Sequence, residues 1–214
     1  MVIVPTQDYE GTPSPQLNIT GPQGKTIFWA LISWLIADID AVSQMQLQID
    51  ETLAHVHNLN DDRLLVLLGT LVVENAVDEL ATTVMPGYKS LRDKRDFTFS
   101  MRIEVVRALR IIPTWLLNYA DCIRSTRNDF VHDLSIDAFA KLKSSKQQSM
   151  CDYLKRFNPD EAEGKTEAEV FEKLVSFTAV ALYAYRVQTS QLDAFLRSQE
   201  FIKHYMKSWK TKAG

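Results

Sequence analysis

Residues 123–133 read IRSTRNDFVHD, and the rest of the chain is organised around this segment. The residues before it, 115–123, are mostly apolar at helical spacing, which predicts that the segment continues a helix. On such a helix Arg124, Asn128 and His132 follow one another at intervals of one turn and share a face. The segment therefore predicts a packed helix that presents charged and titratable side chains along one side.

Arg127 and His132 form an Arg-x4-His pair, and Asn128 directly follows the arginine. An arginine offers a planar, permanently charged fork to a phosphate, and a histidine can take or give a proton near neutral pH. Cleavage of RNA by its own 2′-hydroxyl requires a base, an acid for the leaving oxygen and a cation on the developing charge. On a straight helix Arg127 points about 140° away from His132, so its long side chain or a break in the helix must bring the two together.

The spacing of these two residues is weak evidence for such chemistry when it stands alone. The plain alternative is a surface salt bridge between Arg127 and Asp129, with His132 simply ending the helix. The two interpretations differ in whether Arg127 and His132 meet a common ligand.

Three further residues complete the candidate site. Arg124 and Asp133 flank the pair in the sequence, and Glu74 lies on an earlier predicted helix, where it shares a face with Asp78. Glu74 and Asp78 form either an exposed acidic edge or a face from which Glu74 reaches inward to an arginine of residues 123–133.

The remainder of the chain predicts an all-α protein. It has only 7 Gly and 7 Pro, and three of those Gly and four of those Pro lie in the first 24 residues. The other residues are rich in Leu, Ala, Glu, Lys and Gln, a composition that favours helices. The predicted domains are an extended or disordered arm over 1–24, a single helical domain over 25–200 and a basic tail over 201–214.

Capping patterns and apolar periodicity predict where the helices lie. The first predicted elements are a helix over 25–57, a helix from a cap at Asn60 or Asp61 to Met85, a polar loop over 88–98, a helix from a cap at Ser100 to Ile112 with Arg102, Arg107 and Arg110 on its outer face, and a helix from Pro113 into residues 123–133. The later ones are a short helical piece over 135–142, a piece from Ser144 to Phe157 with Gln147 in a capping box, an acidic loop over 158–164, and a long helix that starts at a capping box of Thr166 and Glu169 and runs towards Leu196.

Charge and cysteine content narrow the function. The net charge of -3 argues against a protein that coats nucleic acid through bulk charge. In the tail, lysines alternate with Tyr205 and Trp209. This pattern fits either binding of single-stranded RNA or a solvated helix end. Cys122 and Cys151 lack a C-x-x-C or histidine context, so we expect reduced thiols in a cytoplasmic protein, with no metal or cofactor. The N-terminus lacks a signal-peptide pattern, and the apolar run over 27–37 is too short to span a bilayer.

Three segments carry a family resemblance. They are NDDR at residues 60–63 ahead of an apolar helix with Glu74, FSMRIEVVRALRII at residues 99–112, and IRSTRNDFVH at residues 123–132. In order and separation they resemble the mannitol operon repressor (MtlR)-like branch of the HEPN superfamily, over roughly residues 50–140. The resemblance implies an all-α, HEPN-like up-and-down helical bundle, here with an N-terminal arm and additional C-terminal helices. It also implies a homodimer with the Arg-x4–6-His motifs of two subunits near the interface.

The resemblance further implies a metal-independent endoribonuclease that leaves a 2′,3′-cyclic phosphate. Arg127 and His132 match the two defining positions of the motif, and Asn128 matches the polar residue commonly found after the arginine. In such an enzyme we expect Arg127 to bind and stabilise the phosphate, His132 to act as acid or base or to orient the hydroxyl, and Asn128 to position it. Many members are toxins or defence nucleases. Some are controlled by an antitoxin that modifies a tyrosine two residues past the histidine, where this chain has Leu134.

Two alternatives to an enzyme stay open. One is a non-catalytic regulator that binds a protein or DNA, although the sequence contains no obvious helix-turn-helix with a basic recognition helix. The other is a helical dimer in which the motif is merely inherited.

Overall fold

A computed structural model of the chain describes residues 22–157 and 164–197, with side chains described for residues 40–156 and 164–191. Every regular element within these ranges is a helix, which confirms the predicted all-α fold class. The helices are α1 (Pro22–His57), α2 (Asp62–Val84), α3 (Tyr88–Arg92), α4 (Phe99–Leu109), α5 (Thr114–His132), α6 (Ser144–Phe157) and α7 (Glu167–Arg197). The rest of the predicted arm over 1–21, most of the acidic loop and the basic tail over 201–214 lie outside the described residues.

The chain divides into two compact units, residues 1–39 and residues 40–214. The division falls inside α1, so the single helical domain predicted over 25–200 is shared between the two units. In the first unit the described residues are helical from Pro22 onward, so residues 22–24 belong to α1 rather than to an extended arm. Proline suits the first turn of a helix because its missing N–H would have no partner within the helix there.

In the second unit α2 is the central helix, and it packs against α4, α5 and α7. At Gly69 the contact with α7 leaves little room, since a Cβ there would lie 3.0 Å from Phe171 Cε1 and 3.0 Å from Val175 Cγ2. Glycine costs a helix about 1 kcal/mol relative to alanine, and this close approach explains its presence. One side of α2 stays uncovered, because Leu67 and Leu71, one turn apart, are 42% and 50% exposed.

The C-terminal half of α5 is anchored by aromatic rings and a buried hydroxyl. The ring of Phe130 is buried and lies 5.3 Å from that of Phe139, which in turn lies 5.3 Å from the ring of Phe171 on α7. Thr126 is fully buried, and its Oγ1 donates a hydrogen bond to the carbonyl oxygen of Cys122. This packing fixes the rotation of α5, so the arginines of residues 123–133 lie on its partly accessible side.

Two predicted helix caps are confirmed. Asp61 Oδ1 accepts a hydrogen bond of 2.9 Å from the backbone N–H of Leu64 and caps α2. Thr166 and Glu169 form a reciprocal capping box at the start of α7, because each side chain accepts from the backbone N–H of the other residue. These caps depend only on neighbours in the sequence.

The region between α2 and α4 differs from the prediction. The predicted polar loop over 88–98 contains α3, because the side chain of Tyr88 is buried and its ring lies 5.8 Å from that of Phe97. The cap of α4 is Thr98 rather than Ser100, so α4 begins one residue before the predicted cap. These changes place Ser100 inside the first turn of α4.

The segment before α6 also differs. Ser144 and Gln147 do not form the predicted capping box, because Gln147 Nε2 donates a hydrogen bond of 2.9 Å to the carbonyl oxygen of Phe139. The helical piece predicted over 135–142 is limited to a 3-10 turn at Phe139–Lys141. The buried ring of Phe139 anchors this turn against α5 and α7.

Candidate functional site

The accessible side of α5 borders an open cleft of about 410 Å³ that it shares with α2 and the start of α4. Four of the six candidate residues line this cleft, namely Glu74, Arg124, Arg127 and Asn128. The other lining residues are Thr70, Thr98, Phe99, Ser100 and Arg102. The cleft therefore combines guanidinium groups, hydroxyl groups, a carboxylate and one aromatic ring.

The three arginines of the cleft differ in their partners. Arg102 is paired with two carboxylates, and Arg124 Nε donates a hydrogen bond of 2.8 Å to Asp121 Oδ1. Arg127 is partly buried, and its Nη1 donates only to the neutral amide oxygen of Asn128, at 3.3 Å. Among the described residues Arg127 has no carboxylate partner. A partly buried charge without a counter-ion is costly, so Arg127 is the cation on this cleft that is best placed to receive an anion.

The pairing of Asp129 bears on the alternative interpretation of the motif. Asp129 Oδ2 lies 3.6 Å from Nζ of Lys146, on α6, and the same Nζ donates a hydrogen bond to the hydroxyl of Ser125. The surface salt bridge between Arg127 and Asp129 that the sequence allowed is therefore replaced by a contact between α5 and α6. Arg127 remains available on the cleft.

Glu74 does not contact an arginine of residues 123–133, and it is not an open acidic edge. Its Oε1 lies 2.9 Å from Arg102 Nη1, and Asp78 Oδ2 lies 2.7 Å from the same nitrogen. Asp78 Oδ1 accepts a hydrogen bond of 2.6 Å from the buried hydroxyl of Tyr88. Burial and this hydrogen bond raise the pKa of Tyr88 well above its ordinary value.

This network also corrects the predicted position of Arg102. The sequence placed Arg102 on the outer face of its helix, but its side chain is only 17% exposed and ties α4 to α2. The network therefore fixes the first turn of α4, with Ser100 and Phe99, at one wall of the cleft. Arg107 is also only partly exposed, since its Nε lies 3.2 Å from Glu104 Oε1 and its Nη1 donates a hydrogen bond of 3.1 Å to Asn118 Oδ1 on α5. Arg110 is exposed, as predicted.

His132 is the last residue of α5, is exposed and is not among the residues that line the cleft. It follows Asn128 by four residues on the same row of the helix, about 6 Å further along the helix axis. The structure thus brings Arg127 and Asn128 together at the cleft and leaves His132 beyond its edge.

Asp133 closes the helix end and is not engaged with the arginines of α5. Its carboxylate accepts hydrogen bonds from the backbone N–H and the hydroxyl of Ser135, at 2.9 and 2.6 Å. These hydrogen bonds hold the pKa of the Asp133 carboxyl below its ordinary value. Asp133 thus shapes the turn that follows His132.

The first turn of α2 binds the backbone of residues 134–139, the segment that follows α5. Arg63 Nη2 donates to the backbone carbonyl oxygens of Leu134 and Ile136, at 2.8 and 3.0 Å. Asp62 Oδ2 accepts a hydrogen bond of 3.0 Å from the backbone N–H of Phe139. The sequence predicted a cap at Asn60 or Asp61 but assigned no role to Asp62 and Arg63, because their partners lie more than 70 positions away.

The first turn of α4 was the other part of the site that the sequence did not identify. Thr98, Phe99 and Ser100 line the cleft, whereas the sequence analysis used this region to start a helix and to support the resemblance, and gave it no place in the site. The available signal was the sequence order of an aromatic residue and hydroxyl residues at a helix N-terminus, a region that also presents free backbone N–H groups.

The described residues, 22–157 and 164–197, contain neither a cluster of metal-binding side chains nor a membrane-spanning helix. No group of three His, Cys, Asp or Glu side chains in that part of the chain is placed to hold a metal ion. Likewise, none of its helices has the length and apolar character needed to cross a membrane. Comparisons with models of protein families, with curated proteins and with solved structures gave no match to this chain.

Proposed function

We propose that this chain is a metal-independent endoribonuclease of the HEPN type, acting as a homodimer in the cytoplasm, with a toxin or defence role. The observation that carries the proposal is the position of Arg127 on the cleft without a counter-ion among the described residues. Its guanidinium group lines a cleft, is partly buried and has no carboxylate partner among the described residues. A phosphate of RNA supplies the two acceptor oxygens that the fork of an arginine binds best.

The proposed roles follow from the order of residues along α5. Arg127 binds the phosphate and stabilises the charge that develops on it, and Asn128, whose oxygen already accepts from Arg127, offers its amide N–H groups to the same phosphate. His132, one turn further on and exposed, takes or gives the proton of the 2′-hydroxyl or of the leaving oxygen. An RNA strand that leaves the cleft along α5 passes these residues in sequence.

Exposed apolar side chains at the end of α5 and on α2 support the proposed homodimer. Val131 and Leu134, on either side of His132, are 38% and 79% exposed, and Leu67 and Leu71 form an exposed pair on α2. Large apolar side chains grouped at a surface are typical of an interface, and a second copy is the partner that places another motif beside the first. Because Leu134 replaces the tyrosine of the tyrosine-modifying antitoxin systems, control by such a partner is not part of the proposal.

A specific observation favours a second candidate, a non-catalytic regulator that binds a protein or DNA. His132 lies outside the cleft that holds Arg127, so a single subunit has a ligand-binding site without the histidine in it. In a regulator the variant His132→Ala would retain full biological function, because His132 does not line that site. In the ribonuclease it would lose RNA cleavage and any growth arrest that cleavage causes.

The experiment is incubation of the protein with total cellular RNA in the presence of EDTA, followed by analysis of the new RNA ends. We expect the wild-type protein to produce 2′,3′-cyclic phosphate ends, and His132→Ala to lower the rate by about 100-fold or more, the usual effect of removing a general acid or base. His55→Ala, at an exposed histidine of α1, is the matched control and should leave cleavage unchanged. Undiminished cleavage by a folded His132→Ala protein would rule out the proposed chemistry.

A further inference from the structure

The cleft has room for more than a phosphate. We propose, on the basis of the ribonuclease function above, that it is a subsite for one nucleotide of the RNA next to the cut. Its phosphate lies on Arg127, its base packs on Phe99, and the edge of its base faces Glu74 and Ser100. The subsite favours a base with an exocyclic amino group, guanine above all.

The size and walls of the cleft support a nucleotide as the ligand. Its volume of about 410 Å³ lies within the roughly 300–1,000 Å³ of pockets that bind small molecules, and it is much larger than a single phosphate needs. The wall formed by α5 is cationic, through Arg127. The facing wall, at the start of α4, carries the ring of Phe99 and the hydroxyl of Ser100. A nucleotide has the same division into an anionic end and a flat aromatic end.

The distribution of charge limits the cleft to one anion. Arg102 is neutralised by Glu74 and Asp78, and Arg124 by Asp121, which leaves Arg127 as the cation without a carboxylate partner in the described part of the chain. The partial positive charge at the N-terminus of α4 adds to the attraction on the opposite wall. One phosphate can pair with Arg127, whereas the arginines left for a second phosphate are already paired with carboxylates.

The other end of the cleft suits a base. Single-stranded RNA is recognised largely through bases that stack on aromatic rings and form hydrogen bonds along their edges, and Phe99 is the aromatic residue of the cleft lining. Glu74 Oε1 is paired with Arg102, and Glu74 Oε2 has no hydrogen-bond or ion-pair partner among the described residues. A carboxylate accepts hydrogen bonds from the amino group of a base, and uracil has no such group.

Guanine matches the carboxylate better than the other bases do. Its ring N–H and its amino group lie side by side and point the same way, so they can donate together to the two oxygens of Glu74. Adenine and cytosine offer the amino group alone. Ser100, whose hydroxyl has no hydrogen bond within the described residues, can donate to the adjacent carbonyl oxygen of guanine.

The test is titration of the full-length protein with guanosine 5′-monophosphate, uridine 5′-monophosphate and inorganic phosphate, followed by two-dimensional amide NMR. We expect guanosine monophosphate to bind saturably and shift the amide signals of residues 98–100 and 127–128, roughly tenfold more tightly than uridine monophosphate, the effect of a charge-assisted hydrogen bond. His55→Ala, at an exposed histidine that does not line the cleft, should bind it as the wild type does. Equal affinity for guanosine monophosphate and inorganic phosphate would overturn the subsite.

Two variants locate the binding. Ser100→Trp fills the cleft and should abolish binding of guanosine monophosphate, whereas Ser90→Trp, at an exposed serine of α3, should not change it. Phe99→Leu keeps an apolar side chain but removes the ring, and it should weaken binding roughly tenfold through lost stacking. If Ser100→Trp does not fold, Phe99→Leu decides the outcome, and unchanged binding in that variant overturns the proposal.

The failure of this proposal is distinct from the failure of the ribonuclease proposal. RNA cleavage without binding of guanosine monophosphate refutes the subsite and leaves the ribonuclease intact. Binding of guanosine monophosphate without RNA cleavage by the wild-type protein supports the subsite and refutes the ribonuclease.

Discussion

The guanidinium group of Arg63 donates a hydrogen bond of 2.8 Å to the backbone carbonyl oxygen of Leu134, which lies 71 positions later in the chain. The same nitrogen donates to the carbonyl oxygen of Ile136 at 3.0 Å. Because Leu134 follows His132 by two residues, this contact holds the chain just past the end of α5 against the first turn of α2. The path of the chain beyond His132 is therefore set by a residue far away in the sequence.

Arg63→Ala should lower the free energy of unfolding by about 1.5–3 kcal/mol, the usual loss for hydrogen bonds from a charged donor. The carbonyl oxygens it releases lie in the turn after α5, so amide hydrogen exchange should increase over residues 133–136. Chemical denaturation and exchange followed by mass spectrometry measure the two effects. Arg92→Ala is the control, since Arg92 pairs only with the exposed Asp93 at the surface, and equal behaviour of the two variants would contradict the role of Arg63.

Asp78→Ala should be more damaging, because it removes the carboxylate that joins Tyr88 to Arg102. Breaking one partner of a buried ion pair costs about 3–5 kcal/mol, whereas Tyr88→Phe removes a single hydrogen bond and should cost about 1 kcal/mol. Glu104→Ala, at an exposed ion pair, should change stability by less than about 1 kcal/mol. Denaturant midpoints in urea give the comparison, and a cost for Asp78→Ala no larger than that for Glu104→Ala would show that the network is not stabilising.

Glu172 gives a prediction for the effect of pH on stability. Burial raises the pKa of its carboxyl, and the opposing influence of His57, 3.4 Å away, is smaller. A raised folded-state pKa means that the stabilising contribution of the protonated form is present below the ordinary pKa of 4.5 and is lost as the pH rises through the folded-state value. Glu172→Gln, which stays neutral, should therefore raise the melting temperature at about pH 7 and leave it nearly unchanged at about pH 4.

The control for this experiment is Glu51→Gln, on the exposed side of α1, which should not alter the pH dependence of the melting temperature. A lower melting temperature for Glu172→Gln at about pH 7 would mean that the contact with His57 outweighs the cost of burying the carboxylate.

Leu134→Asp tests the proposed homodimer. The change leaves the backbone contact to Arg63 in place, because that contact uses the carbonyl oxygen and not the side chain. Light scattering after size-exclusion chromatography should give twice 24.5 kDa for the wild-type protein and 24.5 kDa for the variant. Leu47→Asp, at another exposed leucine, should stay dimeric, and a variant Leu134→Asp with the wild-type mass would place the interface elsewhere.

Local features of the fold were predictable from the sequence. The caps at Asp61 and at Thr166 with Glu169 were predicted correctly, because the donors they satisfy lie three residues away along the same helix. Ser144 and Gln147 have a similar spacing but no such cap. The amide of Gln147 instead reaches the carbonyl oxygen of Phe139, which a local pattern cannot indicate.

In the candidate site, too, the local relationships along one helix were predictable and the contacts between helices were not. Arg124, Arg127 and Asn128 meet at one cleft because residues three and four apart share a face of α5. The role of Arg102 was missed, since its carboxylate partner Asp78 lies 24 positions earlier. The ion pair of Arg102 with Asp78 holds the first turn of α4 at the cleft. Helical spacing within α4 indicates on which side of the helix Arg102 lies, but not which residue of another helix it contacts.

The central claim is that Arg127 is the phosphate ligand of a ribonuclease, and the most direct test is the rate at which a single-stranded RNA is cut in EDTA by Arg127→Ala and by Arg92→Ala. Both variants lose one arginine, but only Arg127 lines the cleft without a carboxylate partner among the described residues. We predict that Arg127→Ala cuts about 100-fold or more slowly than the wild-type protein, the scale of removing an electrostatic stabiliser, and that Arg92→Ala cuts at the wild-type rate. Equal rates for the two variants, or no cleavage by the wild-type protein, would contradict the claim.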